Sequence, residues 1–569
     1  MLHVERRKLQ NERRTFRESG EYARGGHKRP SSVAAGAFAP SVPVFSRRRL
    51  KASLVWRIAC AGLVVAALSL AMTATAESAA PGEKVLKEER TTLWAPFVEL
   101  RLSNPEYTGN PFDVHATATF EHSDSGKSHV TELFYVGDDA WAFRFTGTRT
   151  GEWTFATTSP EENLDGWRGN VTVEPQPDPN VRGFLTPHQG KFAIEVDEDG
   201  ALEGVLYNIY MNHALRERVE EYSADEDELL SDIDEMLAEV EEHGFDGAFL
   251  IVGNNWFQYG ALGHDEHSSE NPDFDTFRII ETIITEAHKR GLHLHIWAWG
   301  DDERRWTPIG VGGINEEADR RLQRYIAARL GPLPGWTMSY GFDLYEWVSE
   351  EQVAEWADYL HERFGWPKLL TARERHDHDT RIFEFDEGER LDIYSVDDRP
   401  EADFYDIAVK RLEDRGLPVL FERRFLYNRD NVWDTETTRR ALWQFTMAGG
   451  ASAIWGVMWG GGEPYPHPEQ LRLHGDFWRD RFLLDFEPAN HLTDGYALMV
   501  PDNTHYVFYS EDADEVRLDL TGMPEAQPVV ALDTSGGEAG LIELGMLDPA
   551  VHVWEAPYQA DWVVAVGRY

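Results

Sequence analysis

The sequence predicts a multidomain chain: an N-terminal β-sandwich, a central (β/α)8 TIM barrel and a C-terminal small β-sandwich. Three observations predict it. The 569 residues are several times an ordinary single-domain length. Short alternating strands separated by turn signals fill roughly residues 90–175 and return after about 490. Between these stretches apolar runs alternate with segments of helical spacing, over a length close to the roughly 250 residues of a (β/α)8 barrel. Hydrophobic residues at 42% and aromatics at 12% supply enough apolar surface for such cores and exclude a mainly disordered chain.

The chain opens with a leader. Ile58 to Met72 is an apolar run preceded by Arg47, Arg48, Arg49, Lys51 and Arg57, and Ala74-Thr75-Ala76 offers a small-x-small cleavage site. Residues 1–76 therefore read as leader plus secretory signal peptide, the run being short for a membrane span. Ser46 to Lys51 resembles a twin-arginine export motif, with an ordinary basic n-region as the alternative. A secreted, periplasmic or cell-surface location is expected. The single cysteine, Cys60, lies inside this signal, so the exported chain relies on packing and not on crosslinks. No membrane span is expected after cleavage.

Net charge is −45, yet residues 1–76 carry an excess of ten bases, which leaves −55 for the rest. Ten of the 55 bases are lysines. An acid-coated, lysine-poor surface repels nucleic acid and fits a halophilic protein, where salt screens the self-repulsion.

Residues 88–175 form the expected first sandwich. Val114, Ala116, Ala118 and Phe120 alternate with polar neighbours, as do Trp141, Phe143 and Phe145, and Glu174 to Asn180 is a proline-rich linker. The barrel is expected over 188–486. Its strands are read at Gly204–Ile209, Phe249–Val252, Leu292–Trp299, Trp336–Phe342, Leu369–Ala372, Leu391–Ser395, Pro418–Phe421 and Ala451–Met458. Leu229, Ile233, Met236, Leu237 and Val240 stripe the first helix, and Phe277, Ile280, Ile284 and Ala287 the second. A doubly wound sheet is the alternative, but no glycine-rich phosphate loop follows the first strand. Residues 490–569 return to alternation, with Tyr506–Tyr509, Val516, Leu518, Leu520 and Trp562–Val566 as strands.

Chemistry in a barrel sits at the C-terminal strand ends. Strand seven ends in Pro-Val-Leu-Phe-Glu422, and strand four in Tyr-Gly-Phe-Asp343-Leu-Tyr-Glu346. Carboxylates facing each other across a barrel mouth are what glycoside hydrolysis uses; the retaining form needs them about 5–5.5 Å apart. A structural salt bridge is the plain alternative for any one of them. Asn254, Asn255 and Trp256 after strand two, Trp299 and Asp301 after strand three, and Trp459 after strand eight could stack on or hydrogen-bond a sugar. Trp297 and Trp455 serve equally as core. Arg373 and His376 follow strand five, and Tyr394 lies in strand six; all three are candidate substrate contacts. His293 and His295 alternate on one strand and read as core or helix-facing residues, with no third ligand spaced for a metal. His376 to Asp379 reads as a solvated loop before a metal site. No metal and no cofactor is expected.

With these residues in view, the chain resembles secreted clan A glycoside hydrolases of apiosidase-like architecture. Asn110-Pro-Phe112, Phe134-Tyr135, Arg144-Phe145 and Gly151-Glu-Trp153 are similar to the uncharacterised β-sandwich that precedes such barrels. Gly341-Phe342-Asp343 falls where clan A places Gly-Asn-Glu, and Glu422 where it places the nucleophile. Asp533 to Gly537 and Asp561 to Val564 are similar to the collagen-binding-like β domain that closes many of these chains. The resemblance implies a retaining hydrolase of polysaccharides or oligosaccharides, with Glu422 as nucleophile. Phe342 and Asp343 depart from the pattern, so the acid/base is Asp343, with a shorter reach, or Glu346. Two rival readings stand beside it. One is a non-catalytic carbohydrate-binding surface protein. The other is a polysaccharide lyase using Arg373, His376 and Tyr394.

Overall fold

A computed structural model describes residues 84–211, 226–257, 270–300, 307–377, 380–383, 390–397, 404–425, 434–456, 465–537 and 539–569, without the side chains of 254, 376–377, 380–383 and 423–425. The leader, Asp301 and Trp459 lie outside these residues. Among the described residues no helix is long and apolar enough to cross a membrane.

The first strands are β1 (Glu89–Thr92), β2 (Val98–Ser103), β3 (Thr117–His122), β4 (Ser128–Glu132), β5 (Phe134–Gly137), β6 (Ala140–Phe145), β7 (Gly151–Thr158) and β8 (Arg168–Glu174). They make a five-stranded sheet, β1-β8-β7-β3-β4, and a three-stranded sheet, β2-β6-β5. The inward residues of both, among them Phe120, Trp153 and Phe155 on one and Leu100, Trp141 and Phe145 on the other, share one core. Phe120 stacks on Phe145 with centroids 4.3 Å apart, so the two sheets interdigitate.

A second small sheet follows: β9 (Leu185–His188), β10 (Lys191–Glu195) and β11 (Leu202–Val205), all antiparallel. The first barrel strand, expected at Gly204–Ile209, is thereby corrected. Leu202–Val205 belongs to this sheet, and the barrel begins at β12 (Ile209–Met211). Asn208 causes the break. Its N–H turns back onto the Leu206 carbonyl at 2.6 Å. Its carbonyl accepts from Asp246 and Gly247, and its side-chain oxygen from Trp455 Nε1 at 3.0 Å.

The barrel continues through α1 (Glu226–Glu242), β13 (Gly247–Ile251), α2 (Phe274–Lys289), β14 (His293–Trp299), α3 (Glu317–Leu330), β15 (Trp336–Gly341) and α4 (Glu350–His361). Then come β16 (Leu370–Thr371), β17 (Arg373–Asp377), β18 (Thr380–Phe383), β19 (Tyr394–Val396), α5 (Phe404–Arg415), β20 (Val419–Phe425), α6 (Thr435–Met447), β21 (Ser452–Gly456) and α7 (Pro468–Trp478). Nine parallel segments form a nearly closed barrel, in the order β16-β15-β14-β13-β12-β21-β20-β19-β17. β16 and β17 are halves of one stretch interrupted at Ala372; the first pairs with β15 and the second with β19. Between β17 and β19 the described residues hold an antiparallel strand, β18, and no helix.

Strand alternation sorts the barrel residues. Ile209, Met211, Phe249, Trp297, Leu369, Ile393, Leu420 and Ile454 point inward. They pack with Leu185, Phe192 and Ile194 of the small antiparallel sheet, which plugs the barrel end where the strands begin. Leu250, Ile296, Met338, Val396, Phe421 and Trp455 point outward to the helices. Three of the helices begin on side-chain caps. Asp273 accepts the Thr276 N–H at α2, Asp434 the Thr437 N–H at α6, and Ser349 with Gln352 forms a capping box at α4.

The tail consists of β22 (Glu487–Pro488), β23 (Tyr496–Met499), β24 (Tyr506–Asp519), β25 (Gln527–Asp533), β26 (Leu541–Leu547) and β27 (Val551–Val566), hydrogen-bonded as one six-stranded sheet. The expected small sandwich is refined accordingly. Trp554 and Trp562 lie eight residues apart on β27, about 27 Å if the strand were straight, yet their rings are 5.1 Å apart. The β24–β27 ribbon therefore folds over at its bulges between Ser510 and Glu515, and one sheet covers its own core.

Candidate functional site

Glu422 stands on β20, two residues beyond the inward-facing Leu420, and alternation turns it into the barrel. It has no solvent-exposed surface. Both carboxyl oxygens are engaged across the interior: Oε1 lies 3.2 Å from His295 Nε2, and Oε2 accepts from Ser339 Oγ at 3.2 Å. His295 Nδ1 lies 2.7 Å from Thr337 Oγ1, which is 2.9 Å from the Tyr207 hydroxyl. A buried polar chain thus runs from Tyr207 through Thr337 and His295 to Glu422 and Ser339. It joins three barrel strands and fixes the plane of the carboxylate. Of the two roles expected for His295, core or helix-facing, the structure gives core, and its ring also touches the candidate nucleophile. His293, one layer lower, faces Tyr207 and the Asp246 carbonyl, and burial pushes its pKa down to about 3.

The end of strand four turns sharply. Gly341 has φ 150°, and a Cβ there would meet the Trp299 carbonyl at 2.5 Å. Asp343 adopts the left-handed conformation at φ 51°. Its carboxylate pairs with Arg373 at 2.7 Å, and that guanidinium lies 5.4 Å from the Trp297 ring centroid. Trp297 in turn packs on Phe249 and Phe342. Glu346 lies one short turn further on, exposed, and accepts from the Tyr345 hydroxyl at 2.6 Å.

The other expected contacts divide. Arg373 joins the strand-four acid, and Asn255 is half-buried in the turn after β13. Trp256 is corrected: it is fully buried against Phe277, with its indole N–H on the Ala298 carbonyl at 2.9 Å, and offers no surface to a sugar. Tyr394 is corrected as well. It faces the helices, with the Arg415 guanidinium 4.6 Å above its ring. Trp299 is buried beside Phe257. The side chains of Asn254 and His376, and all of Asp301 and Trp459, lie outside the described residues. Asp397 was missed by sequence reasoning. It directly follows β19, is 5% exposed, and shares the inward frame of Ile393 and Ser395. Counting by twos from Ile393 would have found it. Among the described residues no group of three or more His, Cys, Asp or Glu is placed to hold a metal.

Comparisons with known proteins add the fold relationship. Residues 91–160 match a family model described as a domain of unknown function, DUF5060. No curated protein matches the chain. A candidate glycoside hydrolase from Bacteroides vulgatus aligns with TM-score 0.62 at 16% identity, over 84% of this chain and 100% of its own. A glycoside hydrolase family 5 structure from the same species reaches 0.49 at 13% identity over 68% and 93%. A further glycoside hydrolase reaches 0.48 at 14% over 68% and 97%. The chain has a glycoside-hydrolase-like fold: a nearly closed parallel barrel with several accompanying β-sheets.

Proposed function

We propose that this chain is a secreted, retaining glycoside hydrolase built on a (β/α)8 barrel and acting on a polysaccharide or oligosaccharide. The observation that supports it is Glu422, held on the inner face of the seventh strand by His295 and Ser339. A nucleophile must approach one face of the anomeric carbon along a fixed line, and two hydrogen bonds to its oxygens set that line. Asp343 or Glu346 protonates the leaving oxygen and then activates water. Asp343 is the nearer to the strand tip; Arg373 fixes its orientation, and Trp297 lies under that guanidinium. The basic, apolar-cored leader supports export, and the acid-rich remainder supports work in high salt.

Turnover of an aryl glycoside panel by purified Glu422→Ala tests the reading. We expect a loss of at least about a thousand-fold, with azide restoring turnover and giving the inverted glycosyl azide. Wild-type rates in that variant would remove Glu422 as nucleophile. Asp343→Ala and Glu346→Ala separate the two acids: the true one loses roughly 10²–10⁴-fold on poor leaving groups and far less on good ones.

The complete burial of Glu422 favours a second reading, a non-catalytic carbohydrate-binding barrel in which this residue is only structural. A wild-type chain that binds oligosaccharides but cleaves none selects it. The lyase reading loses its tyrosine, since Tyr394 faces the helices.

A further inference from the structure

We propose that Asp397 is a further substrate-contacting carboxylate of this site, accepting hydrogen bonds from hydroxyls of the same sugar ring that Glu422 attacks. The inference rests on the glycosidase reading and extends it to a residue that neither the sequence motifs nor the comparisons single out.

Strand register carries it. β19 and β20 pair in parallel with Tyr394 opposite Val419, Ser395 opposite Leu420 and Val396 opposite Phe421. The next step of that ladder sets Asp397 beside Glu422. On the other side of β19, Asp397 is still held in the sheet, because its N–H donates to the Glu374 carbonyl of β17 at 3.0 Å. Neighbouring strands lie about 4.8 Å apart, and in-register residues share a face. Leu420 faces the interior, as does Ile393, so the steps of two that reach Glu422 and Asp397 put both carboxylates on the inner wall. Both lie further along their strands than Ile393 and Leu420, the inward residues that pack with Leu185, Phe192 and Ile194 of the plug. The pair therefore stands on the C-terminal side of the plug, toward the end where barrel chemistry is done.

The chemistry then distinguishes the two. Glu422 already has one oxygen on His295 and the other on Ser339, which fixes it as a directed group. Asp397 comes from the adjacent strand, and its shorter side chain keeps the carboxylate near the wall. An ionised carboxylate only accepts hydrogen bonds, through two oxygens with about four lone-pair sites. Its complement is a pair of neighbouring hydroxyl donors, such as the vicinal hydroxyls of a sugar ring. A ring placed for attack by Glu422 brings its own hydroxyls to within a strand spacing of that residue. Such bonds gain strength as the ring flattens toward the transition state, so they act on the chemical step and on binding.

The experiment uses the full exported chain and an aryl glycoside that the wild type turns over, with its 2-, 3- and 4-deoxy analogues. Asp397→Asn preserves shape and Asp397→Ala removes the group. We expect each to lower kcat/KM by roughly 10–100-fold, the range for a hydrogen bond to a charged group, with melting temperature held in the asparagine variant. One deoxy analogue should cost the wild type about that factor and cost Asp397→Ala almost nothing. A purely structural residue gives no such coupling to a single hydroxyl. Equal deoxy penalties in wild type and variants, or full activity in Asp397→Ala, overturn the proposal while the glycosidase reading stands. A wild type inactive on every glycoside overturns both.

Discussion

His295 shows how one buried side chain can both fill a core and hold a candidate nucleophile. The ring is completely buried, between Thr337 on one nitrogen and Glu422 on the other. Replacing it by alanine leaves a cavity and removes a partner from a buried carboxylate and a buried hydroxyl. His295→Ala should therefore cost about 2–4 kcal/mol of stability. Its effect on catalysis should fall on kcat more than on KM, because the ring acts through Glu422, whose orientation it sets. Steady-state kinetics and thermal melts on the same preparation check this; an unchanged kcat in a folded variant removes the positioning role. Period-two alternation of His293 and His295 was legible in the sequence. The contact with Glu422 was not, since it joins residues 127 apart in sequence across the barrel. Tyr394 and Asp397 teach the same lesson. Tyr394 begins one short strand and Asp397 follows it, and only the frame set by Ile393 decides which faces the helices and which the interior.

At the level of elements, helices and buried parallel strands were readable because each carries its own pattern. The Leu229 to Val240 stripe is buried as spaced, and His293–Trp299 is apolar or aromatic on both faces and covered on both. The first barrel strand was misplaced because Asn208, a polar residue in an apolar run, ends one sheet and starts another through five hydrogen bonds that only the folded chain reveals. Local capping is a cleaner case, because its partners are three residues apart. Ser349 accepts the Gln352 N–H while the Gln352 side chain returns to the Ser349 N–H, closing the start of α4 just after the strand that delivers Asp343. Ser349→Ala should cost about 1 kcal/mol and speed hydrogen exchange at the first-turn amides of α4. It should leave kcat unchanged, because the Asp343–Arg373 pair is made before the helix begins. A large fall in kcat would mean that the helix start holds the acid in place.

The whole molecule sets two kinds of electrostatics against each other. The sandwich docks on the barrel through largely buried charges. Arg144 of β6 meets Glu281 of α2 at 2.7 Å and the Arg329 carbonyl at 2.9 Å, Arg329 returns to the same glutamate, and Glu99 takes the other side of Arg144. Burial works to raise the Glu281 pKa, but Arg144 and Arg329 more than reverse it and hold it below the usual carboxylate value. A carboxyl lowered in the folded state adds stability above its unfolded pKa, and that share is lost as pH falls through the folded one. Outside, the net charge of −45 spreads a repulsion that salt screens within about 10 Å at 0.1 M and about 3 Å at 1 M. Raising NaCl from about 0.1 M to about 2 M should therefore raise the melting temperature of the wild type. Glu281→Gln leaves two buried guanidiniums short of their shared counter-charge and should cost about 3–5 kcal/mol. That deficit should be the same at both salt concentrations, since ions screen exposed charges far more than buried ones. Thermal melts of both proteins at the two salts decide it. A wild-type melting temperature that is flat or falls with salt removes the halophilic reading of the surface, and a deficit that salt erases means that the sandwich–barrel joint is open to water.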